Sequence, residues 1–217
     1  MIAVFEGLTG AGKTLVMTLM LADDWESGEK LHLNYRVYFS PDQKDVFRWH
    51  NLDELYGLTN GVIGIDEGQK LFDARRWKSL PMSFAEKIAS HRHQGLDIYT
   101  TTQDLSHIDV RIRSNIHVLY TCKKIFRYPV NERIRPIIFI TRVTKKIRNI
   151  NTDTNRVTFT RVGSKTYYIS RYWTKVLYDT YANIDLTQFI CKIKREKGRW
   201  QGKIYSRELI NRGKARI

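Results

Sequence analysis

Two cysteines, Cys122 and Cys191, are all that the 217 residues contain. That is too few to staple a small secreted fold, and no Cys/His spacing matches a zinc site. Each is read as a buried free thiol. No run of about 18 apolar residues occurs, so no membrane-spanning helix is expected. The opening stretch, Met1 to Glu6, has no basic n-region, and Glu6 and Gly7 cut its apolar run short of a secretory signal. A reducing cytoplasm is the expected setting. Internal repeats and low-complexity tracts are also missing. Acidic residues are scarce in one half only. Residues 111–217 hold 26 Lys+Arg and 6 Asp+Glu, a charge of +20, whereas residues 1–110 hold 11 and 16, a charge of −5. A half this basic points to a polyanionic partner.

What is present is enough for a core. Hydrophobic residues make up 42% of the chain, which excludes wholesale disorder. Ile2 to Glu6 reads as a strand, followed by a glycine cluster and an apolar helix from Lys13 to Trp25. Further strands are expected over residues 31–39, 61–65, 97–102 and 116–122. Helices are expected at Asn51–Tyr56, Pro81–Gln94 and Asp109–Ser114, with an irregular loop over 68–80. Strand alternating with helix implies a mostly parallel sheet covered on both faces. After residue 124 the pattern changes. Arg135–Thr144 and Arg156–Val162 flank a polar turn at residues 149–155 and read as a β-hairpin. The expected division is a core over 1–124 and a basic hairpin with an aromatic and basic tail over 125–217, on or within the same domain.

The chemistry starts at Gly7-Leu8-Thr9-Gly10-Ala11-Gly12-Lys13-Thr14, a full match to G-x-x-x-x-G-K-[ST] between a strand and a helix. Its glycines let backbone N–H groups curl around phosphate oxygens, and the helix points its positive end at the same anion. In that arrangement Lys13 bridges the β- and γ-phosphates and the Thr14 hydroxyl binds Mg²⁺. A second apolar strand, Val62 to Ile65, ends in Asp66-Glu67. Asp66 is placed to hold Mg²⁺, and Glu67 to polarise a water. Adjacent carboxylates suit an ATPase, and no Asn-Lys-x-Asp guanine-reading motif is present, so ATP is the expected nucleotide. Gln103 ends the next strand, a position from which a polar group senses the γ-phosphate; a plain polar strand end is the competing reading. His91 and His93, two apart on a helix, face different ways, which suits solvent or capping roles better than a metal pair.

Gly7…Lys13-Thr14, Ile65-Asp66-Glu67, Phe72 to Trp77, Arg92 to Ile98, Gln103-Asp104 and Ser114 to Lys124 together resemble the zonula occludens toxin-like family. These are assembly ATPases of filamentous phages, within the FtsK–HerA group of DNA-pumping P-loop ATPases. The resemblance runs over roughly residues 1–180, with Leu177-Tyr178-Asp179-Thr180 similar to the end of the family's cytoplasmic region. It implies an oligomeric, ring-forming motor that works with viral assembly proteins at the inner membrane. Gln103 takes the family's polar sensor position. Arg75 and Arg92 match family arginines, and either one or the other is expected to reach a neighbouring subunit's ATP as an arginine finger. Filamentous-phage members continue into a transmembrane helix and a periplasmic domain, neither of which is expected in this sequence. The expected location is therefore the host cytoplasm, with at most peripheral contact with anionic lipid.

Three function classes compete at this stage. An ATP-driven motor that exports viral DNA leads, with a packaging ATPase that fills a preformed capsid as its alternative. A P-loop switch or kinase would usually carry an arginine-rich lid, to which the basic hairpin is poorly suited. A nucleic-acid scaffold that binds nucleotide without hydrolysis does not need the Asp66-Glu67 pair. Bases interleaved with aromatics, from Tyr167 to Tyr178 and from Lys192 to Lys203, suit single-stranded DNA. Core packing is the stronger reading for the aromatics, and nucleic acid for the charges.

Overall fold

The computed structural model describes residues 1–39, 44–75, 82–128, 138–151, 156–170, 189–196 and 199–206. The expectations for Arg76-Trp77, for Tyr172, Trp173, Lys175 and Tyr178, for Leu177 to Thr180 and for Lys197 fall outside these residues.

Eight strands form one sheet in the order β3-β2-β4-β5-β1-β6-β7-β8. They are β1 (Ile2–Glu6), β2 (Leu31–Leu33), β3 (Val46–Arg48), β4 (Gly61–Ile65), β5 (Leu96–Thr102), β6 (Val118–Tyr128), β7 (Ile138–Asn151) and β8 (Arg156–Ser170). The pairings from β3 through β6 are parallel. Those of β6 with β7 and β7 with β8 are antiparallel. The helices are α1 (Lys13–Glu26), α2 (Asp53–Tyr56), α3 (Met82–Ala89) and α4 (Val110–Arg113). This is the expected α/β fold of a P-loop NTPase, and the hairpin prolongs its sheet without a break. No helix among the described residues is long and apolar enough to cross a membrane.

Strand β1 shows why the sheet is covered on both faces. Ala3 and Phe5 point to one side with Leu15, Leu19 and Ala22 of α1. Ile2 and Val4 point to the other, with Phe84, Ile88 and Ile112 of α3 and α4. A strand buried on both faces has no polar side to show, so it reads as an unbroken apolar run. Phe5 is fully buried, stacked on Tyr120 at 4.8 Å and edge-on to Tyr99 at 6.1 Å.

The described elements differ from the sequence expectation in several places. Only Leu31–Leu33 of residues 31–39 is strand, because the chain turns at Asn34, whose N–H donates to the Gly64 carbonyl of β4. Val46–Arg48 pairs in parallel with β2, a three-residue edge strand where no strand was expected. Strands β6, β7 and β8 run on to Tyr128, Asn151 and Ser170, past their expected ends at 122, 144 and 162. Helix α3 ends at Ala89. Its last turns unwind so that His91 Nδ1 donates to the Ile88 carbonyl at 2.7 Å. His91 is therefore a buried cap, not a solvent-facing residue, and His93 is exposed. The tail contributes a second hairpin, β9 (Phe189–Glu196) against β10 (Arg199–Ser206).

Candidate nucleotide-binding site

A parallel sheet delivers the carboxyl ends of its strands to one edge, and the loops there make the site. At this edge lie the loop after β1, Asn34 after β2, Asp66-Glu67 after β4 and Gln103 after β5.

The loop Gly7–Thr14 is held from behind. Gly12 has φ 87° and precedes the first residue of α1. A Cβ there would sit 2.6 Å from the Phe139 ring of β7. At Gly7 a Cβ would meet the Cys122 carbonyl oxygen at 2.4 Å. The buried Thr141 hydroxyl donates to the Ala11 carbonyl at 2.8 Å. The loop thus rests on β6 and β7, whose contact leaves no room for a side chain at either glycine. Leu8, Thr9 and Gly10 form its exposed outer arc, and Ala11 is buried. Lys13 Nζ donates to the carbonyls of Gly7 and Leu8 at 2.8 and 3.0 Å. Burial pushes the Lys13 ammonium below its ordinary pKa, opposed by Cys122, Asp66 and Glu67. At the loop's centre it is placed to exchange those carbonyls for phosphate oxygens.

Asp66 is fixed at three points. The Thr14 hydroxyl donates to its Oδ1 at 2.8 Å, and the Thr101 hydroxyl to the same oxygen at 2.7 Å. Asn34 clamps its backbone, accepting from the Asp66 N–H at 2.7 Å and donating to the Asp66 carbonyl at 2.9 Å. The Thr101 hydroxyl also accepts from the Glu67 N–H at 2.8 Å. One buried threonine on β5 therefore ties both acidic residues to the strand beside them. Glu67 has φ 55°, a left-handed turn that aims its carboxylate along the edge, where it pairs with Lys70. The Thr14 hydroxyl and the Asp66 carboxylate are hard oxygen donors side by side, the set that Mg²⁺ accepts together with phosphate oxygens and water. The glycine cradle, the Lys13 cation and this oxygen pair fit a Mg²⁺-nucleotide.

Gln103 is exposed just past β5. Arg75 is exposed on the same edge, with its N–H on Asp73 Oδ1 at 2.9 Å. Arg92 is exposed too, but it precedes β5 and lies at the opposite edge of the sheet. Asn34, Lys70, Thr101, Phe139 and Thr141 were not anticipated as parts of the site. For Asn34 and Thr101 a signal existed: each closes an apolar stretch at the carboxyl end of a parallel strand. Phe139 and Thr141 left no local signal, since they come from a hairpin more than a hundred residues after the loop. Cys122, beneath Gly7, is buried and its thiol is pushed up to about 12 by that burial, so it is inert packing.

The sequence model of one family, described as Zonular occludens toxin (Zot), matches residues 36–167, more than half of the chain. The chain belongs to the Zot family. The matched span runs from just after β2 to within β8, so it includes Asp66-Glu67 and the ribbon that backs the loop. Among solved structures, the chain is similar to the N-terminal domain of zonular occludens toxin from Neisseria meningitidis. Identity is 19%, the match covers 82% of this chain and 98% of that one, and the TM-score is 0.48. It is also similar to the genome packaging NTPase B204 from Sulfolobus turreted icosahedral virus 2 in complex with ATP-gammaS. That match has 13% identity, covers 73% and 96% of the two chains, and has a TM-score of 0.45. No curated protein matches this Zot-family sequence.

Proposed function

We propose that this Zot-family chain is an ATP-driven motor that handles viral DNA during virion assembly. The observation that carries this reading is the node at which Thr14, Asp66 and Thr101 meet beside the glycine cradle. Phosphate on the loop is contacted by backbone N–H groups and by Lys13. Thr14 and Asp66 would hold Mg²⁺, which would supply positive charge against the phosphates. Glu67 orients the attacking water and takes its proton. Lys70, paired with Glu67, positions that carboxylate. Gln103 reports on the γ-phosphate. Either Arg75 or Arg92 acts across a subunit interface; Arg92, at the edge of the sheet opposite the P-loop, would reach a nucleotide only from a neighbouring copy, which suits a homo-oligomeric ring.

The DNA reading rests on the ribbon of β6, β7 and β8. These strands carry ten Lys and Arg and no Asp or Glu. Lys123 stands directly opposite Arg142, and Lys146 opposite Arg161. Like charges facing each other across a ladder cost stability unless a counter-charge covers them. A phosphate backbone supplies that counter-charge without regard to sequence. Tyr168, Phe126 and Tyr128 are exposed on the same ribbon and offer surfaces on which bases stack. The β9–β10 hairpin, with the bases from Lys192 to Lys203, is a second candidate, for DNA or for anionic lipid. Filamentous-phage export and capsid packaging differ in where the DNA goes, and the export form follows the family resemblance.

The test is ATP hydrolysis with and without single- and double-stranded DNA. Stimulation by DNA in the wild type, with turnover abolished in Glu67→Gln, is expected. Hydrolysis that ignores DNA of both forms would remove the motor and leave a nucleotide switch.

A further inference from the structure

A cavity of about 470 Å³ opens at the edge of the sheet opposite the P-loop. Strand β5 starts here at Leu96 and reaches the P-loop edge seven residues later, so the two sites are about 20 Å apart. The walls come from the turn after α3, the junction of α4 with β6, and the carboxyl-terminal end of β7. They present the side chains of Arg92, Arg148, His91 and His117, with Ile150 as an apolar rim on the same face of β7 as Arg148.

This chemistry is one-sided. Among the described residues, no carboxylate lines the cavity. Arg92 also borders an adjoining recess that holds Asp24, Glu29 and Asp97, with Asp97 engaged by the Met1 amino group; Arg148 does not line that recess. Arg148 Nε is buried without a hydrogen-bond partner, and so is His91 Nε2. His91 is 2% exposed. Its Nδ1 is occupied by the Ile88 carbonyl, and His117 Nδ1 accepts from the Ile2 N–H at 3.1 Å. The two rings meet edge to face at 5.4 Å. Burial, then Arg92, His91, the Met1 amino group and Arg148, push His117 down to about 4. The buried Arg148 Nε–H is a donor whose lack of a partner costs stability until something occupies it, whereas His91 Nε2, with the ring proton on Nδ1, is an unpaired acceptor.

We propose that this cavity binds a phosphate-bearing nucleotide unit at a site separate from the P-loop. The phosphate lies between Arg92 and Arg148, whose planar forks bond oxyanions in pairs. The nucleoside lies along Ile150. The volume supports more than a bare phosphate, since about 300–1,000 Å³ is usual for sites that take small organic ligands. The unit is either a free nucleotide or one residue of a nucleic-acid strand. The second source deepens the DNA reading above and rests on it, because Arg148 lies two residues beyond Lys146 on the same face of β7. The first source does not depend on it.

The experiment uses the full chain carrying Lys13→Ala, so that the P-loop does not compete. Thymidine monophosphate and a short oligothymidylate are titrated separately by calorimetry, with the His117 ring followed by NMR. Binding of the mononucleotide with a rise in the His117 pKa, and at least a tenfold loss in Arg148→Gln, supports a free nucleotide. The same pattern with the oligonucleotide alone supports a strand. Because Arg148 is partly buried, Ile150→Glu is the companion variant. It puts a carboxylate at the 54% exposed rim and is expected to weaken the same ligand without disturbing the core. If neither ligand moves His117, or if both variants fold and bind like the parent, the proposal is overturned. An oligonucleotide that binds tightly but is indifferent to both variants would leave the DNA reading standing and remove this site.

Discussion

Thr101 accepts from one acidic residue of the site and donates to the other, and its loss is informative for that reason. Thr101→Val keeps the shape and β-branching of the side chain but leaves the Glu67 N–H unpaired and Asp66 with one bond fewer. A buried unpaired donor costs about 1–3 kcal/mol, so a measurable fall in denaturation midpoint is expected. Turnover should fall more than ATP affinity does, because Lys13 and the loop amides are untouched. Glu67→Gln should behave differently, keeping ATP bound and the fold unchanged while losing about 100-fold or more in turnover. Single-turnover hydrolysis beside equilibrium ATP binding separates the two. If Glu67→Gln hydrolyses at the parent rate, the base lies elsewhere. Asp66 and Glu67 were legible in the sequence because their chemistry is local to a strand end. Thr101 offered only the weaker signal of its place at the carboxyl end of an apolar strand, since a threonine in a strand normally advertises β-propensity rather than a site.

At the level of elements, the phosphate loop depends on a hairpin that begins more than a hundred residues after it. Gly12→Ala should fail twice over, through its positive φ and through the Phe139 ring behind it. Phe139→Ala makes room but leaves the backbone strain of about 1 kcal/mol or more. The double variant Gly12→Ala with Phe139→Ala is therefore expected to recover part of the ATP binding lost in Gly12→Ala, and not all of it. Thermal unfolding and ATP titration on the three proteins check this. Full recovery would mean that the ring alone excludes a side chain at Gly12. The extended shape of β7 and β8 was visible as alternation. Their continuity with the parallel sheet was not, because strand pairing is a long-range property.

For the whole molecule, charge decides most of the expected behaviour. Replacing Lys123, Arg142, Lys146 and Arg161 with Gln should lower the slope of log affinity for DNA against log salt by about 3, at roughly 0.7–0.9 per phosphate contact. An unchanged slope would move the DNA path off the ribbon. Mixtures of inactive Lys13→Ala subunits with inactive Arg75→Ala or Arg92→Ala subunits should regain activity if either arginine works across an interface, since such a residue is worth roughly 10³-fold or more. No rescue in mixed oligomers would confine both to their own chain. Stability should also depend on pH at the far edge of the sheet. Asp24 is raised from 3.8 to about 6, first by burial and then by neighbouring acids, against a hydrogen bond from Tyr99. Its folded form holds the proton more tightly than the unfolded chain, so stability falls as pH rises from about 4 through 6. Asp24→Asn should therefore gain about 1 kcal/mol at pH 7, allowing for solvent screening, and nothing below pH 4. His117 acts with the opposite sign. Its contribution is intact above pH 6.5 and is lost as pH falls toward about 4. Denaturant unfolding of the parent and of Asp24→Asn across this range checks the sign.

Local chemistry was enough to determine the nucleotide loop, the acidic strand end, the alternation of strand and helix and the division of charge. A glycine-rich turn between an apolar strand and an apolar helix has few other uses, and a net charge needs no fold to be counted. The tertiary structure decided which distant residues complete the site: Asn34 and Thr101 around Asp66, Phe139 and Thr141 behind the loop. It also decided that Arg75 and Arg92 lie on opposite edges of the sheet, which no spacing between them reveals. Those assignments depend on strand order, and strand order is set by which apolar faces are buried together across the whole chain.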